Sequence, residues 1–477
     1  MKVALILSPF DQMAAAGFTT KIVKRIYGFY MPLGIASLAS VLEQAGHIAR
    51  VLDPCPQKLS LEKIVEWIKK ENPDVLGISA LTHASKNGYK LTDMLKKELP
   101  NLPVIMGGTH CTAFPEKALE DCPSLDAAVI GEAEERIVPI VEALYNKSGL
   151  DKIKGVLFRD PASGQVINTG APDIQLNLSK FPFAARHLFN NDLYVPFPDQ
   201  MKKNPVTNIM TSRGCTWRKC QFCFEGGKYM PLYRRRTPES VIAELREIKK
   251  MGFEAVVFWD DNFCVSEDWV GKFCELLKQE KLDLSWSCNG RVDTLSETMV
   301  KKIKDAGCFT VYIGFESGNQ ETLNKIQKGT TLLQARQAVK NCREAGIEVR
   351  GSFIIGFPWE TPELAKESIE FAKELDLAFV KFMLFTPEYG TGLYDVAKNS
   401  GAFINSEMHH GSLSQAAYLP NGFKSVEQLE KIAQRANLQY VFRPRFLIRK
   451  ILSIRSWQDV RKYFDGFLMM ISLRRSS

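Results

Sequence analysis

Twice along this chain, short apolar runs alternate with amphipathic helical patterns, which confines it to parallel sheets with helices packed against them. In residues 1–150 the strands read as Val3–Leu7, His47–Leu52, Val75–Ala80, Val104–Gly107 and Ala127–Ile130. Helices such as Leu33–Gln44 and Leu61–Lys70 fit between them, and five such units predict a flavodoxin-like or Rossmann-like α/β domain. Residues 151–205, rich in Pro, Asn and Asp, read as a linker with a small hairpin near Gly155–Asn168. The alternation resumes over 206–394, with strands at Thr207–Thr211, Ala255–Trp259, Leu284–Cys288, Phe309–Gly314, Val349–Ile355 and Phe379–Phe385. Six strand–helix units predict a partial (β/α)6 barrel whose reacting face lies at the carboxyl ends of the strands. The remainder, 395–477, reads as a helical, basic extension.

Composition narrows the setting. No apolar run reaches the ~18 residues that span a bilayer. The opening MKVALILSPF is apolar for too few residues and lacks a small-residue cleavage site, so it reads as a first strand, and a cytoplasmic protein is expected. A formal charge of +8 over 477 residues is mild and gives no reason to expect nucleic acid. Eleven cysteines, odd in number and mostly scattered, favour free thiols plus one metal cluster over a disulfide framework.

The cluster candidate follows the first barrel strand, in Ser212-Arg213-Gly214-Cys215-Thr-Trp-Arg-Lys-Cys220-Gln-Phe-Cys223. Three thiolates within nine residues of one loop can ligate three irons of a [4Fe–4S] cubane. The fourth iron is then open to the amino and carboxylate groups of S-adenosylmethionine (SAM), whose sulfonium bond an electron from the cluster can cleave. A zinc site or a chance grouping is the plainer alternative, but structural zinc takes four protein ligands and no fourth Cys or His lies nearby. The other eight cysteines read as small buried apolar groups.

Strand ends of the first domain carry Ser79–Thr82, Gly107-Gly108-Thr109-His110 and Gly131-Glu132, and in doubly wound sheets a ligand sits beyond such ends. Glycines there admit close backbone approach to a large ligand, although each is also compatible with a simple turn.

Taken together the motifs resemble the cobalamin-binding radical SAM enzymes over roughly residues 1 to 445. The resemblance rests on Pro32-Leu33-Gly34, Glu43-Gln-Ala-Gly-His47, Pro73-Asp-Val-Leu-Gly-Ile-Ser79, Gly107-Gly-Thr-His110 and Gly131-Glu-Ala-Glu134. In the barrel it rests on the cysteine loop, Asp260-Asp-Asn-Phe263, Gly314-Phe-Glu-Ser-Gly318, Gly351-Ser-Phe-Ile-Ile-Gly-Phe-Pro358 and Thr386-Pro-Glu-Tyr-Gly-Thr391. Two departures stand out. The family spacing is C-x3-C-x2-C, whereas this loop is C-x4-C-x2-C. None of His47, His83, His110, His187, His409 or His410 stands in the Asp-x-His-x-x-Gly motif of many B12 proteins, which implies cobalamin held base-off without a histidine on cobalt.

The resemblance assigns roles by position. Cys215, Cys220 and Cys223 hold the cluster, and Phe222 lies against the SAM adenine. Asp260, Asp261 and Asn262 receive the SAM amino group, Glu316 and Ser352 its methionyl or ribose groups, and Arg291 its carboxylate. Leu33, Gly34, Ser79, Leu81, Thr82, Gly107, Gly108, Thr109, Gly131 and Glu132 line the cobalamin site. For the acidic residues the plainer reading is a helix cap or turn, and for Arg291 and Ser352 a local structural hydrogen bond.

The implied activity is methyl transfer. One SAM methylates cob(I)alamin, and a second yields a 5′-deoxyadenosyl radical that takes hydrogen from an unactivated carbon. That carbon then accepts the methyl group from methylcobalamin. Radical oxidation, cyclisation or rearrangement without methyl transfer is the alternative inside the family, and a non-catalytic Fe–S or cobalamin sensor the alternative outside it. Methylthio transfer to tRNA is disfavoured, because Cys55, Cys111 and Cys122 are too widely spaced for a second triad. Expected partners are a small-molecule, lipid or peptide substrate and a reductant such as flavodoxin or ferredoxin. Much of the positive charge gathers at the C-terminus, in Arg443, Arg445, Arg449, Lys450, Arg455, Arg461, Lys462, Arg474 and Arg475. There Phe442-Arg-Pro-Arg-Phe-Leu-Ile-Arg-Lys-Ile-Leu452 mixes basic and apolar residues, fitting either a helix packed on the barrel or weak membrane-surface contact.

Overall fold

The computed structural model describes residues 1–10, 30–160, 163–196, 202–224, 232–404, 415–452 and 454. The chain forms two compact units, the first holding the N-terminal strand with residues 30–194, the second beginning at Val195. His409, His410, Arg455, Arg461, Lys462, Arg474 and Arg475 lie outside the described residues.

In the first unit the parallel strands are β1 (Lys2–Leu7), β2 (Ile48–Leu52), β3 (Val75–Ser79), β4 (Val104–Gly107) and β5 (Ala127–Val129). Their order is β2-β1-β3-β4-β5, so the winding direction reverses between β1 and β3. Right-handed crossovers then place helices on both faces. Two cores result, one built around Ile64, Ile68, Leu91 and Leu95, the other around Ile35, Ala39, Leu42 and Val141. Central strands such as Val-Ala-Leu-Ile are apolar at every position because both of their faces are covered. The expected hairpin is present as β6 (Val156–Arg159) and β7 (Val166–Asn168), and β6 pairs antiparallel with β5, so this stretch extends the sheet.

The second unit contains β8 (Val206–Ile209), β9 (Ser212–Arg213), β10 (Arg234–Arg235), β11 (Ala255–Phe258), β12 (Ser285–Gly290), β13 (Cys308–Glu316), β14 (Glu348–Ile355) and β15 (Phe379–Leu384). The main sheet runs β15-β14-β13-β12-β11-β8, all parallel and in sequence order, as the partial barrel requires. With sequential order, right-handed crossovers put the connecting helices on one face and leave the other open. Five of those helices start at a Ser or Thr cap: Thr237, Ser266, Ser296, Thr331 and Thr361 each accept a backbone N–H three residues on. Helix-side residues are apolar, among them Phe258, Phe273, Trp286, Val311, Ile313 and Phe353. Alternation turns Ser287, Asn289, Thr310, Arg350 and Ser352 toward the open face.

Helix Val426–Val441 packs beside β15. Asn437 donates to the Phe382 carbonyl and accepts from the Phe382 amide, both at 3.0 Å, satisfying backbone that an edge strand otherwise exposes. Among the described residues no helix is long and apolar enough to cross a membrane.

Beyond β14 the chain turns at Gly356 (φ +98), where the fully buried Glu360 accepts the amides of Gly356 and Phe357. Burial pushes its carboxyl from the ordinary 4.5 up to about 8. The folded protein therefore keeps a proton that the unfolded chain releases near 4.5, so this contribution is full below that pH and is lost as pH rises through about 8. The melting midpoint should fall across that window, and Glu360→Gln, which cannot ionise, should flatten the profile. An equal slope in the variant would refute the assignment.

Candidate functional site

The candidate site of the second unit starts from the turn between β8 and β9. Asp260, just past β11, is fully buried beneath that turn. Its Oδ1 accepts the Thr211 amide and hydroxyl, each at 2.9 Å, together with the Ser212 amide and hydroxyl. Desolvation still holds its pKa above the usual carboxylate value, against the pull of those donors. The other oxygen, Oδ2, has no partner among the described residues, and neither amide atom of the buried Asn262 has one. Asp261, between them, is exposed. Buried polar atoms without partners are rare in folded proteins, so their gathering beyond β11 fits a site that takes a polar ligand.

The cysteine loop follows. Its backbone takes positive φ at Gly214 (+80) and at Arg218 (+53), the latter inside the four-residue spacer that departs from the family pattern. The residues after helix Gln320–Lys325 brace the loop and its neighbour Arg291. Ile326 O accepts the Gln221 amide at 3.0 Å, and Gln327 O accepts the Trp217 indole at 2.8 Å. Lys328 O accepts Arg291 Nη2 at 2.9 Å. Gly329 (φ +70) lies so close to Trp217 that a Cβ there would meet the indole at 1.9 Å. Leu393 N also donates to Gln221 O, at 2.8 Å.

Cys215, Cys220 and Cys223 are half-buried, whereas the other eight cysteines are fully buried, as the sequence leads one to expect. Burial raises the Cys220 thiol, while the charges of Lys328 and Arg291 draw it back toward the thiolate. Among the described residues no three His, Cys, Asp or Glu side chains close on one point as a single-ion cage needs. A cubane asks for something else, one accessible thiolate per iron, and the donor set fits that demand.

Three of the expected SAM residues are engaged in ways the sequence does not reveal. Arg291 makes a bidentate pair, but with Asp293 (3.0 and 3.1 Å), so the fork expected for the SAM carboxylate is already taken. Glu316 sits at a register shift between β13 and β14 with φ +64, and its carboxylate folds back over Gly314 to pair with Lys328 at 2.8 Å. The Phe222 ring meets Phe357 edge-on at 6.2 Å, with Lys328 Nζ 5.8 Å from its centroid. Ser352 lies half-buried on β14, in register with Gly314. Nothing in the sequence marks Lys328 or Trp217 as part of this site. An isolated Lys-Gly or a Trp between cysteines has no periodic signature, and only the fold brings them together.

In the first unit the ten expected cobalamin residues share one property. Leu33, Gly34, Ser79, Leu81, Thr82, Gly107, Gly108, Thr109, Gly131 and Glu132 are all exposed or half-buried, while their neighbours Ile35, Ala80, Ala84 and His110 are buried. Apart from Leu33 and Gly34 they lie at the carboxyl ends of β3, β4 and β5. Gly108 (φ +95) abuts the end of β3, where a Cβ would meet the Ala80 carbonyl at 2.7 Å. A Cβ at Gly34 would meet nothing within 4 Å, so open space adjoins it.

Comparison with known proteins agrees with this geometry. Residues 209–372 match the Radical SAM superfamily model and residues 19–141 the B12 binding domain model. An uncharacterized methyltransferase of Pyrococcus horikoshii is 33% identical over 453 residues, covering 94% of this chain and 95% of that protein. The cytidylyl-2-hydroxyethylphosphonate methyltransferase of Streptomyces wedmorensis is 25% identical over 462 residues, covering 86% of each. The solved structure of the radical SAM methyltransferase TsrM from Kitasatospora setae, with cobalamin and a [4Fe–4S] cluster bound, shares the fold. Its TM-score is 0.70 at 16% identity, covering 100% of this chain and 99% of that one.

Replacing Asp260 by Ala leaves the Thr211 and Ser212 donors unmet, at roughly 1–3 kcal/mol for a buried polar group, and loosens the root of the cysteine loop. Asp260→Ala should reconstitute with less iron and bleach faster in air than wild type, with Asp260→Asn intermediate. Wild-type iron content and bleaching rate in the Ala variant would rule the clamp out.

Proposed function

The chain belongs to the cobalamin-binding radical SAM enzymes, and from that premise we propose that it methylates an unactivated carbon of its substrate. When bound, the cluster, SAM and cobalamin supply the hard chemistry, a 5′-deoxyadenosyl radical for hydrogen abstraction and a cobalt-carried methyl group. The observation that carries the reading is the loop of three accessible thiols, braced from 326–329 and flanked by Arg291 and Lys328.

In this reading Cys215, Cys220 and Cys223 each bind one iron. Arg291 and Lys328 offset the negative charge that three thiolates bring, acting through the field rather than through contact with SAM. Asp261, with Asn262 and the free oxygen of Asp260, receives the SAM amino group. Ser352 meets the ribose, Glu316 the methionyl end and the Phe222 backbone the adenine. In the first unit the half-exposed strand ends named above hold cobalamin, base-off. His110 supports the absence of a histidine ligand: it is fully buried, its Nε2 lies 2.5 Å from the Tyr89 hydroxyl, and desolvation lowers its pKa to about 4.

The proposed partners are a small-molecule, lipid or peptide substrate and a flavodoxin or ferredoxin as reductant, in the cytoplasm, with no nucleic acid. Weak contact with an anionic membrane surface is also proposed, through helix Pro444–Leu452. Leu447, Ile448, Ile451 and Leu452 fall on one side of it and are 37%, 55%, 64% and 68% exposed. Arg443 and Arg449 tie the region to Asp376 at 3.3 and 2.5 Å.

Anaerobically reconstituted protein should hold about four irons and base-off cobalamin, and should release 5′-deoxyadenosine from SAM under reduction. A Cys215→Ala, Cys220→Ala, Cys223→Ala variant should lose both iron and deoxyadenosine. Co-produced S-adenosylhomocysteine marks methyl transfer, and deoxyadenosine without it points to radical oxidation or cyclisation. A cluster with no bound cobalamin removes the methyltransferase reading. For the membrane contact, Ile448→Glu with Ile451→Glu should weaken sedimentation with anionic vesicles by about tenfold or more, given ~1.5–3 kcal/mol per buried apolar side chain. Wild-type sedimentation in that variant would overturn it.

A further inference from the structure

The open face of the barrel sheet carries a cation that no assigned role uses. On β15, Val380, Phe382 and Leu384 enter the helix-side core, so alternation turns Phe379, Lys381 and Met383 to the open face, where each is half-buried. The ladder places Lys381 opposite Ser352, and Ser352 opposite Gly314, over which the Glu316–Lys328 pair is folded. One row of the open face therefore reads Glu316 and Lys328, Ser352, Lys381.

The other cations nearby are held by carboxylates or aromatic rings. Lys328 has Glu316 and Arg291 has Asp293. Arg350 lies between the Tyr312 and Phe379 rings, at 5.7 and 5.4 Å. Lys381 has neither an ion pair nor a hydrogen bond among the described residues, and no charged group perturbs it. Burial alone holds its ammonium below the ordinary lysine pKa. A half-buried ammonium without a counter-charge is a ready partner for an anion arriving with a ligand.

We propose that Lys381 is a specificity residue that binds an oxyanion of the substrate, a carboxylate, phosphate or phosphonate, inside the barrel. This rests on the reading of the unit as a radical SAM barrel. Ser352, assigned to the ribose, is its neighbour on the next strand, so a substrate anchored at Lys381 presents its carbon beside the SAM ribose. An acidic handle then sets which carbon faces the radical, because the ammonium fixes one end of the substrate while the reacting end stays free to align.

The test uses reconstituted holoenzyme with SAM bound, as wild type, Lys381→Met and Lys381→Arg. Inorganic phosphate and, separately, acetate are titrated at constant ionic strength, following the electron paramagnetic resonance signal of the reduced cluster. At least one probe should perturb wild type saturably. Methionine, close in shape but uncharged, should weaken that effect by about tenfold or more, as loss of a charge-assisted bond implies, and arginine should largely restore it. SAM affinity should be the same in all three proteins. No saturable effect in wild type, or an equal effect in Lys381→Met, overturns the proposal. A matching loss of SAM affinity in Lys381→Met also overturns it, by assigning the cation to the SAM carboxylate. Deoxyadenosine release by wild type without probe tests the underlying reading separately, so the two can fail independently.

Discussion

The second unit's site depends on one fully buried carboxylate. Asp260 collects four donors from Thr211 and Ser212 on a single oxygen, and those two residues are the root of the loop that carries the thiols. A loop otherwise explores many conformations at a cost in ordering entropy. Fixing its first residues to a strand end of the sheet makes the positions of Cys215, Cys220 and Cys223 a property of the barrel rather than of the loop. The same clamp leaves Asp260 Oδ2 and the Asn262 amide buried without hydrogen-bond partners among the described residues. Rigidity for the loop and recognition groups for a ligand thus come from one short segment.

Electrostatics complete what the clamp begins. Three thiolates gathered on one cluster would repel one another unless positive charge lay near, and Arg291 and Lys328 supply it beside Cys220. Each cation is itself held by a carboxylate, Asp293 or Glu316, so neither is free to swing away. The strained backbone at Glu316 belongs to this arrangement: a bulge at the end of β13 re-aims the carboxylate over Gly314, where a side chain would collide with it. Lys381 differs in having no such carboxylate, which is why it stands apart from the cations that serve the cluster.

The first unit solves a different problem with different means. Its doubly wound sheet buries both faces and leaves the strand ends, whose candidate ligand-binding residues, small or polar apart from Leu81, are exposed or half-buried. His110, the histidine nearest the Gly107-Gly108 turn in sequence, faces the core and the Tyr89 hydroxyl. A side chain so desolvated serves packing.

By itself the sequence determined the elements and much of the chemistry. Apolar periodicity located the strands to within a few residues, and the Ser and Thr caps mark where the helices begin, because these signals act over a few neighbouring residues. The thiol triad and the glycine-bearing strand ends were legible for the same reason, each being a short contiguous motif. Only the tertiary structure decided the partners: Asp260 with a turn 48 residues earlier, Arg291 with the Lys328 carbonyl, Glu316 with Lys328, and Asn437 with β15. It also decided that Lys381 has none among the described residues. Which strands lie side by side, and in what register, depends on the summed burial of the whole sheet, and no local pattern carries that information.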